Sequence, residues 1–137
     1  MANSAPMPLN EASRLSRITH MGLLDSTADD VLDHIVDMVA LVFEVPIALV
    51  SIVSEHQQWF RAGTGLEERE TPREISFCAY SILGHDVLQI PDATLDSRFR
   101  DNPMVTGEPH IRFYAGVPLV TADGLALGTL CIIDNRP

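Results

Sequence analysis

The run Ile47-Ala48-Leu49-Val50-Ser51-Ile52-Val53 is apolar at odd and even positions alike. Strand side chains alternate between two faces, so such a run predicts a central strand covered on both sides. Pro46 closes whatever helix precedes it. At 137 residues the chain has room for one compact domain, which buries roughly two-thirds of its unfolded surface.

Helical periodicity comes first along the chain. A first helix is predicted over Glu11 to Met21, with Asn10 as N-cap, Gly22 as stop, and a narrow apolar stripe of Leu15, Ile18 and Met21. A second helix follows Ser26 or Thr27, each three residues ahead of an aspartate (Asp29, Asp30). Val31, Leu32, Ile35, Val36, Val39, Val42 and Phe43 are its expected buried face. Asp29, Asp30, Asp33 and Asp37 complement the helix dipole and read as a solvated face.

After the central strand, Ser54 to Gln57 is a polar turn and Gln58 to Ala62 a returning strand, ended by Gly63-Thr64-Gly65. A charged loop from Glu67 to Glu74 leads to a short helix near Ser76 to Leu83. Val87 to Ile90 is a short strand cut off by Pro91. Residues 92–110 form a long loop with one helical turn around Ser97 to Phe99, a length that usually signals function or unusually good packing. Ile111 to Val120 and Leu125 to Ile133 are two strands joined through Asp123-Gly124, a strong hairpin signal. The fold class is α+β: a central antiparallel sheet of about five to six strands with helices on both faces.

Charge excludes several functions. Nine basic residues, all arginine, face 19 acids, a net charge of −10 and the wrong sign for a phosphate-backbone binder. Without lysine there is no Schiff-base enzyme and no Walker-A loop. No nucleic-acid partner and no membrane insertion are expected, because the longest apolar stretch, Met38 to Val53, is short and broken by Glu44, Pro46 and Ser51. Residues 1–10 carry no signal-peptide pattern and read as a flexible tail, with one domain over 11–137. Cys78 and Cys131 lack C-x-x-C spacing, so no disulfide scaffold or metal site is expected, and a reduced cytoplasmic setting follows.

Six segments in order carry a family resemblance: Gly22-Leu23-Leu24-Asp25-Ser26; Val45 to Ser51; Gln58-Trp59-Phe60; Ser76 to Leu83; Pro91 to Thr94 with Asp96 to Phe99; and His110 to Leu119. Together they resemble a GAF domain of the bacterial signal-transduction subgroup found in sensor histidine kinases and GGDEF-type proteins. The resemblance covers nearly all of residues 14–137. It implies terminal helices on one sheet face, a small-molecule cavity under the loops on the other, and an attached or partner effector, a kinase or cyclic-dinucleotide enzyme. Relatives continue past the last strand into a long helix, whereas this sequence stops at Asp134-Asn135-Arg136-Pro137. An open terminal face would favour a homodimer through the N-terminal helices. The lysine-containing cyclic-nucleotide signature is absent, and Ala79 stands where bilin-binding relatives place a histidine after their cysteine.

The candidate ligand-binding residues are Trp59, Arg61, Cys78, Tyr80, Asp92, Arg98, His110, Arg112 and Tyr114. Cys78, on the short helix, is either a reactive thiol or a small buried apolar residue. His110, Arg112 and Tyr114 alternate along one expected strand and would share a face suited to an acidic ligand, or would bond to the long loop. Arg98 and Asp92 flank the loop's helical turn, where a salt bridge or turn cap is the plainer role. Trp59 and Arg61 share a strand face, as packing or as part of a site. Six arginines (Arg61, Arg69, Arg73, Arg98, Arg100, Arg112) fall between residues 61 and 112, which makes a locally basic site and an anionic small ligand the expectation. No catalytic constellation is present, and no cofactor is identifiable. The leading reading is a non-catalytic sensory module regulating a signalling effector. The alternatives are a dimerisation module with a filled core and, more weakly, a thiol-based redox sensor at Cys78.

Overall fold

A computed structural model describes residues 4–23 and 30–137. Helices α1 (Glu11–Met21) and α2 (Asp30–Phe43) precede strands β1 (Ile47–Val53), β2 (Gln57–Thr64) and β3 (Glu70–Pro72). A 3-10 turn (Arg73–Ile75) leads to α3 (Cys78–Ser81), β4 (Leu88–Ile90), a second 3-10 turn (Ala93–Leu95) and α4 (Pro103–Thr106). The hairpin of β5 (Phe113–Val120) and β6 (Ala126–Asp134) ends the fold. The six strands form one sheet in the order β3-β2-β1-β6-β5-β4, with every pair antiparallel.

β1 is central and buried at all seven positions, as its two-faced apolar pattern demands. Ala48 and Val50 meet Val36 of α2, and Ile52 meets Ile18 of α1. On the opposite face Ile47, Leu49 and Val53 join the largest cluster, with Phe77, Phe99, Ile111 and Tyr114. The two inner strands approach closely at Gly128, where a Cβ would lie 1.8 Å from the Ser51 carbonyl oxygen. Only a residue without a side chain fits there.

Two expectations change in the helices. Asn10 makes no side-chain cap on α1, whereas Gly22 does end it in the left-handed conformation (φ 65°). Ser26 and Thr27, the expected caps of α2, lie outside the described residues. The expected buried face of α2 is too wide. Val36 alone is fully buried, and Leu32, Val39 and Ala40 pack partly, while Val31, Ile35, Val42 and Phe43 are exposed. A single sheet touches one stripe of a helix, and α2 carries apolar residues nearly all round.

The long charged loop contains β3, which pairs with β2 from Gln57 to Trp59. Three residues of Glu-Thr-Pro carry no apolar alternation, so pairing on an edge decided that strand. The short helix spans Cys78 to Ser81, a single turn rather than the eight residues expected. β5 begins at Phe113 instead of Ile111, because His110 takes a left-handed backbone (φ 57°) and breaks the strand. Within the tail expected over residues 1–10, which is described from Ser4 on, Ala5 packs on the main cluster and the Ser4 hydroxyl donates to the Glu74 carbonyl at 3.3 Å. Among the described residues no helix is long and apolar enough to cross a membrane.

Candidate functional site

The cap over the sheet is built from the segment 73–82 and the loop 91–112. Ser76 starts α3: its hydroxyl accepts from the Ala79 amide (3.1 Å) and donates to Gln58 Oε1 (2.8 Å). Asn102 does the same for α4, accepting from Met104 N (2.9 Å), with Pro103 at the first helical position. Its amide nitrogen reaches back to the Ile75 carbonyl (3.0 Å), joining the two cap segments through a buried side chain. The Phe77 and Phe99 rings stack at 4.1 Å, and Tyr114 tilts against Phe77 at 5.2 Å. These rings pack together between cap and sheet.

Beneath them lies a buried polar cluster. Cys78 of α3 sits over Thr129 and Cys131 of β6, Ser51 of β1 and Tyr114 of β5. The Thr129 hydroxyl donates to Cys78 Sγ at 3.0 Å and the Tyr114 hydroxyl donates at 3.3 Å. Ser51 and Thr129 hydroxyls are 3.1 Å apart, and the two sulfurs 4.0 Å. The contact with Cys131, then the hydroxyl donors, hold the Cys78 thiol below the usual cysteine value against the opposing pull of burial. Burial and the adjacent Cys78 push the Tyr114 phenol up.

A second polar cluster ties the cap to α1. Arg14 of α1 is completely buried, donating to the carbonyls of Val53 (2.9 Å) and Ala126 (3.0 Å) and to Glu11 (3.0 Å). Arg73, in the turn that leads into α3, donates to both Glu11 carboxylate oxygens and to the Ser54 carbonyl. Burial raises the Glu11 pKa, but the Arg73 and Arg14 hydrogen bonds outweigh it and hold the carboxyl below the ordinary range. Burial likewise draws the Arg14 guanidinium down, opposed by Glu11.

The nine expected site residues do not converge. Cys78 and Tyr114 meet in the buried cluster. Tyr80 and Arg98 meet on the outer side of the cap, with the guanidinium 5.7 Å from the Tyr80 ring centre and 5.2 Å from that of Phe99. Arg98 is already engaged with Asp96 (2.8 Å), which it holds below the usual carboxylate range. Asp92 caps the 3-10 turn, accepting from Thr94 N at 3.0 Å. Arg112 donates to the Val105 carbonyl at 2.9 Å, inside the loop. His110 is exposed, and its expected shared face with Arg112 and Tyr114 is lost because His110 and Arg112 lie ahead of β5, which starts at Phe113; Ile111 and Tyr114 instead share the core. Trp59 pairs with Ile52, and directly opposed residues share a face, so it lies on the α1 side of the sheet. A bulge between Val50 and Ser51 shifts the register beside Arg61, which lines an open groove of about 550 Å³ with Leu32, Ile52, Leu119 and Leu127. The expected basic site is therefore dispersed: Arg73 braces α1, Arg98 and Arg112 serve the loop, and Arg61 is on the opposite face.

Sequence reasoning missed Glu11, Arg14, Ser51, Thr129 and the partnership of Cys131 with Cys78, and it placed Arg73 in a basic ligand site rather than on Glu11. Two signals were available. Ser51 interrupts an otherwise apolar run, and Arg14 precedes Ile18 by four residues on the packed face of α1. Among the described residues there is no group of three or more His, Cys, Asp or Glu placed to hold a metal ion.

A family model described as GAF domain matches residues 27–137. The sequence is 55% identical over 132 residues to Cyclic di-GMP phosphodiesterase PA2567 of Pseudomonas aeruginosa, covering 96% of this chain but only 22% of that protein. Among solved structures it is similar to the GAF domain of a phosphoenolpyruvate-protein phosphotransferase from Acinetobacter, with TM-score 0.61 and 19% identity, covering 96% of this chain and 80% of the other. It is also similar to the nlh2 GAF domain of A. aeolicus in an inactive state, with TM-score 0.60 and 14% identity, covering 94% and 82%. At these identities the two structures establish the fold alone.

Proposed function

The chain belongs to the GAF domain family, and from that premise we propose that it is a non-catalytic regulatory module setting the output of a signalling effector. The observation that carries this reading is the Arg73–Glu11 pairing, because it joins the cap to the first terminal helix. A small molecule bound under or against the cap would favour one position of the 73–82 segment. Arg73 would then move Glu11, and α1 with it. Binding shifts the balance only through different affinities for the two positions.

The effector is a cyclic-dinucleotide enzyme or a kinase, attached to this module or acting as its partner. The first is favoured by the similarity to a cyclic di-GMP phosphodiesterase, of which this chain spans about a fifth. The ligand, if anionic, would use arginines now engaged with protein groups, so it must displace Asp96 from Arg98 or a carbonyl from Arg112.

A second reading has its own observation. The stacked Phe77–Phe99 pair and buried Tyr114 fill the core beneath the cap, which favours a ligand-free module that signals through dimerisation. Native mass spectrometry of the purified full-length protein tests the two. A co-purifying small molecule, whose addition changes effector output, supports the sensory reading. A bare dimer with ligand-independent output supports the second.

A further inference from the structure

Cys78 and Cys131 are 53 residues apart in sequence, on different elements, with their sulfurs 4.0 Å apart in the fully enclosed core. A disulfide needs about 2.05 Å between sulfurs, so closing the pair asks for a movement of roughly 2 Å. The Cys78 side is the less constrained by pairing, because α3 is a single turn of four residues leading into the exposed stretch 83–87. Cys131 is fixed in a strand paired on both edges, with Leu49 on one side and Gly116 on the other. The surroundings are asymmetric in the way a nucleophile and its resolving partner require. Both the Thr129 and Tyr114 hydroxyls donate to Cys78, and Ser51 stands behind Thr129 to complete the chain. O–H donors aimed at one sulfur stabilise its thiolate, which is the reactive form. Nothing in the packing of a purely apolar core calls for three hydroxyl groups around a thiol.

We propose that Cys78 and Cys131 are an oxidisable pair, in which a small peroxide converts Cys78 to a sulfenic acid and Cys131 resolves it into an intramolecular disulfide. In the first step the Cys78 sulfur attacks one peroxide oxygen and the O–O bond breaks. The departing hydroxide takes the proton that Cys78 gave up and leaves as water. In the second step the Cys131 sulfur attacks the Cys78 sulfur and the S–O bond breaks. That hydroxide takes the Cys131 proton as a second water. The two sulfurs together give up two electrons, which reduce the peroxide. The product staples α3 to β6 and withdraws Cys78 from the Tyr114 and Thr129 hydroxyls, so the cap changes its attachment to the sheet. This assignment is independent of the ligand and effector proposed above.

The experiment is peroxide titration of the reduced full-length protein, acid quench, alkylation under denaturing conditions, and non-reducing peptide mapping. The expected result is loss of both alkylation adducts at Cys78 and Cys131 and a linked peptide lighter by two hydrogens, in monomeric protein. Cys131→Ser is expected to trap Cys78 as a sulfenic acid captured by a 1,3-dione probe, and Cys78→Ser to leave Cys131 fully alkylatable. The wild-type map stands alone should either variant fail to fold. Full alkylation of both cysteines after peroxide treatment overturns the proposal. So does a link between two chains, or oxidation of Cys131 ahead of Cys78.

Discussion

Arg73 and Glu11, 62 positions apart, are joined by a paired contact of guanidinium and carboxylate, and the same carboxylate receives Arg14 from within α1. One acid therefore holds together the helix that opens the fold and the turn that opens the cap. Arg14 is anchored in turn on backbone carbonyls of β1 and β6, which binds α1 to the middle of the sheet through polar contacts.

Arg14→Ala is expected to destabilise the fold by roughly 3–5 kcal/mol, because it leaves buried carbonyls and the Glu11 carboxylate short of a donor. Arg17→Ala, which breaks an exposed pair with Asp123, is expected to cost little by comparison. Urea denaturation of both variants measures the contrast. Equal midpoints would mean that Arg14 is not the anchor of α1.

The same cluster sets a pH dependence. The Glu11 pKa is depressed in the folded chain, so its stabilising share is fully present above the unfolded value, about 4.3, and is lost as pH falls through the lower folded value. Glu11→Gln is expected to lower stability at neutral pH, with the gap from wild type closing below about pH 4. Denaturation midpoints across pH 3–7 check this, and a gap that stays constant would refute the assignment.

Glycine positions make a sharp pair. A methyl at Gly128 would meet the Ser51 carbonyl carbon and oxygen in the neighbouring central strand, and backbone there has nowhere to go. Gly128→Ala is expected to cost upwards of about 3 kcal/mol or to prevent folding. Gly84→Ala meets nothing within 4 Å and is expected to be neutral or stabilising by up to about 1 kcal/mol. Thermal melts of the two variants provide the comparison.

Dimerisation, if it uses the terminal helices, has a surface to use. Ile35, Met38 and Val42 are exposed along α2 at intervals of three and four residues, the spacing of a helix–helix seam. Met38→Glu with Val42→Glu is expected to reduce a dimer to monomer while leaving the melting temperature of the monomer near unchanged. Light scattering coupled to size exclusion reads the mass. A dimer that survives both charges uses another face.

The tyrosine beneath the cap offers a milder test. Tyr114→Phe keeps the ring against Phe77 but removes the hydroxyl from Cys78, at an expected cost of about 0.5–1.5 kcal/mol. It is also expected to slow oxidation of Cys78, which a timed alkylation assay would show.

Much of the architecture was written locally. The two-faced apolar run of β1, the Asp123-Gly124 hairpin and the glycine stop of α1 each follow from short-range chemistry, and they place the helices and most strands within a few residues. β3 escaped because an edge strand needs no alternation, and the early start given to β5 came from assuming that His110 continues a strand that its left-handed backbone interrupts.

The site was a different matter. Periodicity tells which residues face inward but not which inward residues meet, and Cys78 with Cys131, or Glu11 with Arg73, are neighbours only once strand order has been chosen. Trp59 lies on the other side of the sheet from Cys78 because it pairs with Ile52, and no count of residues along its own strand reveals which face that is. The sequence by itself determined an acidic, lysine-free α+β domain of the GAF kind with a doubly covered central strand. Only the tertiary structure decided that Arg14, Arg73, Arg98 and Arg112 are spent on carboxylates and carbonyls and that the two thiols touch. Patterns of burial are set by each element's own period, whereas contacts between side chains are set by long-range pairing.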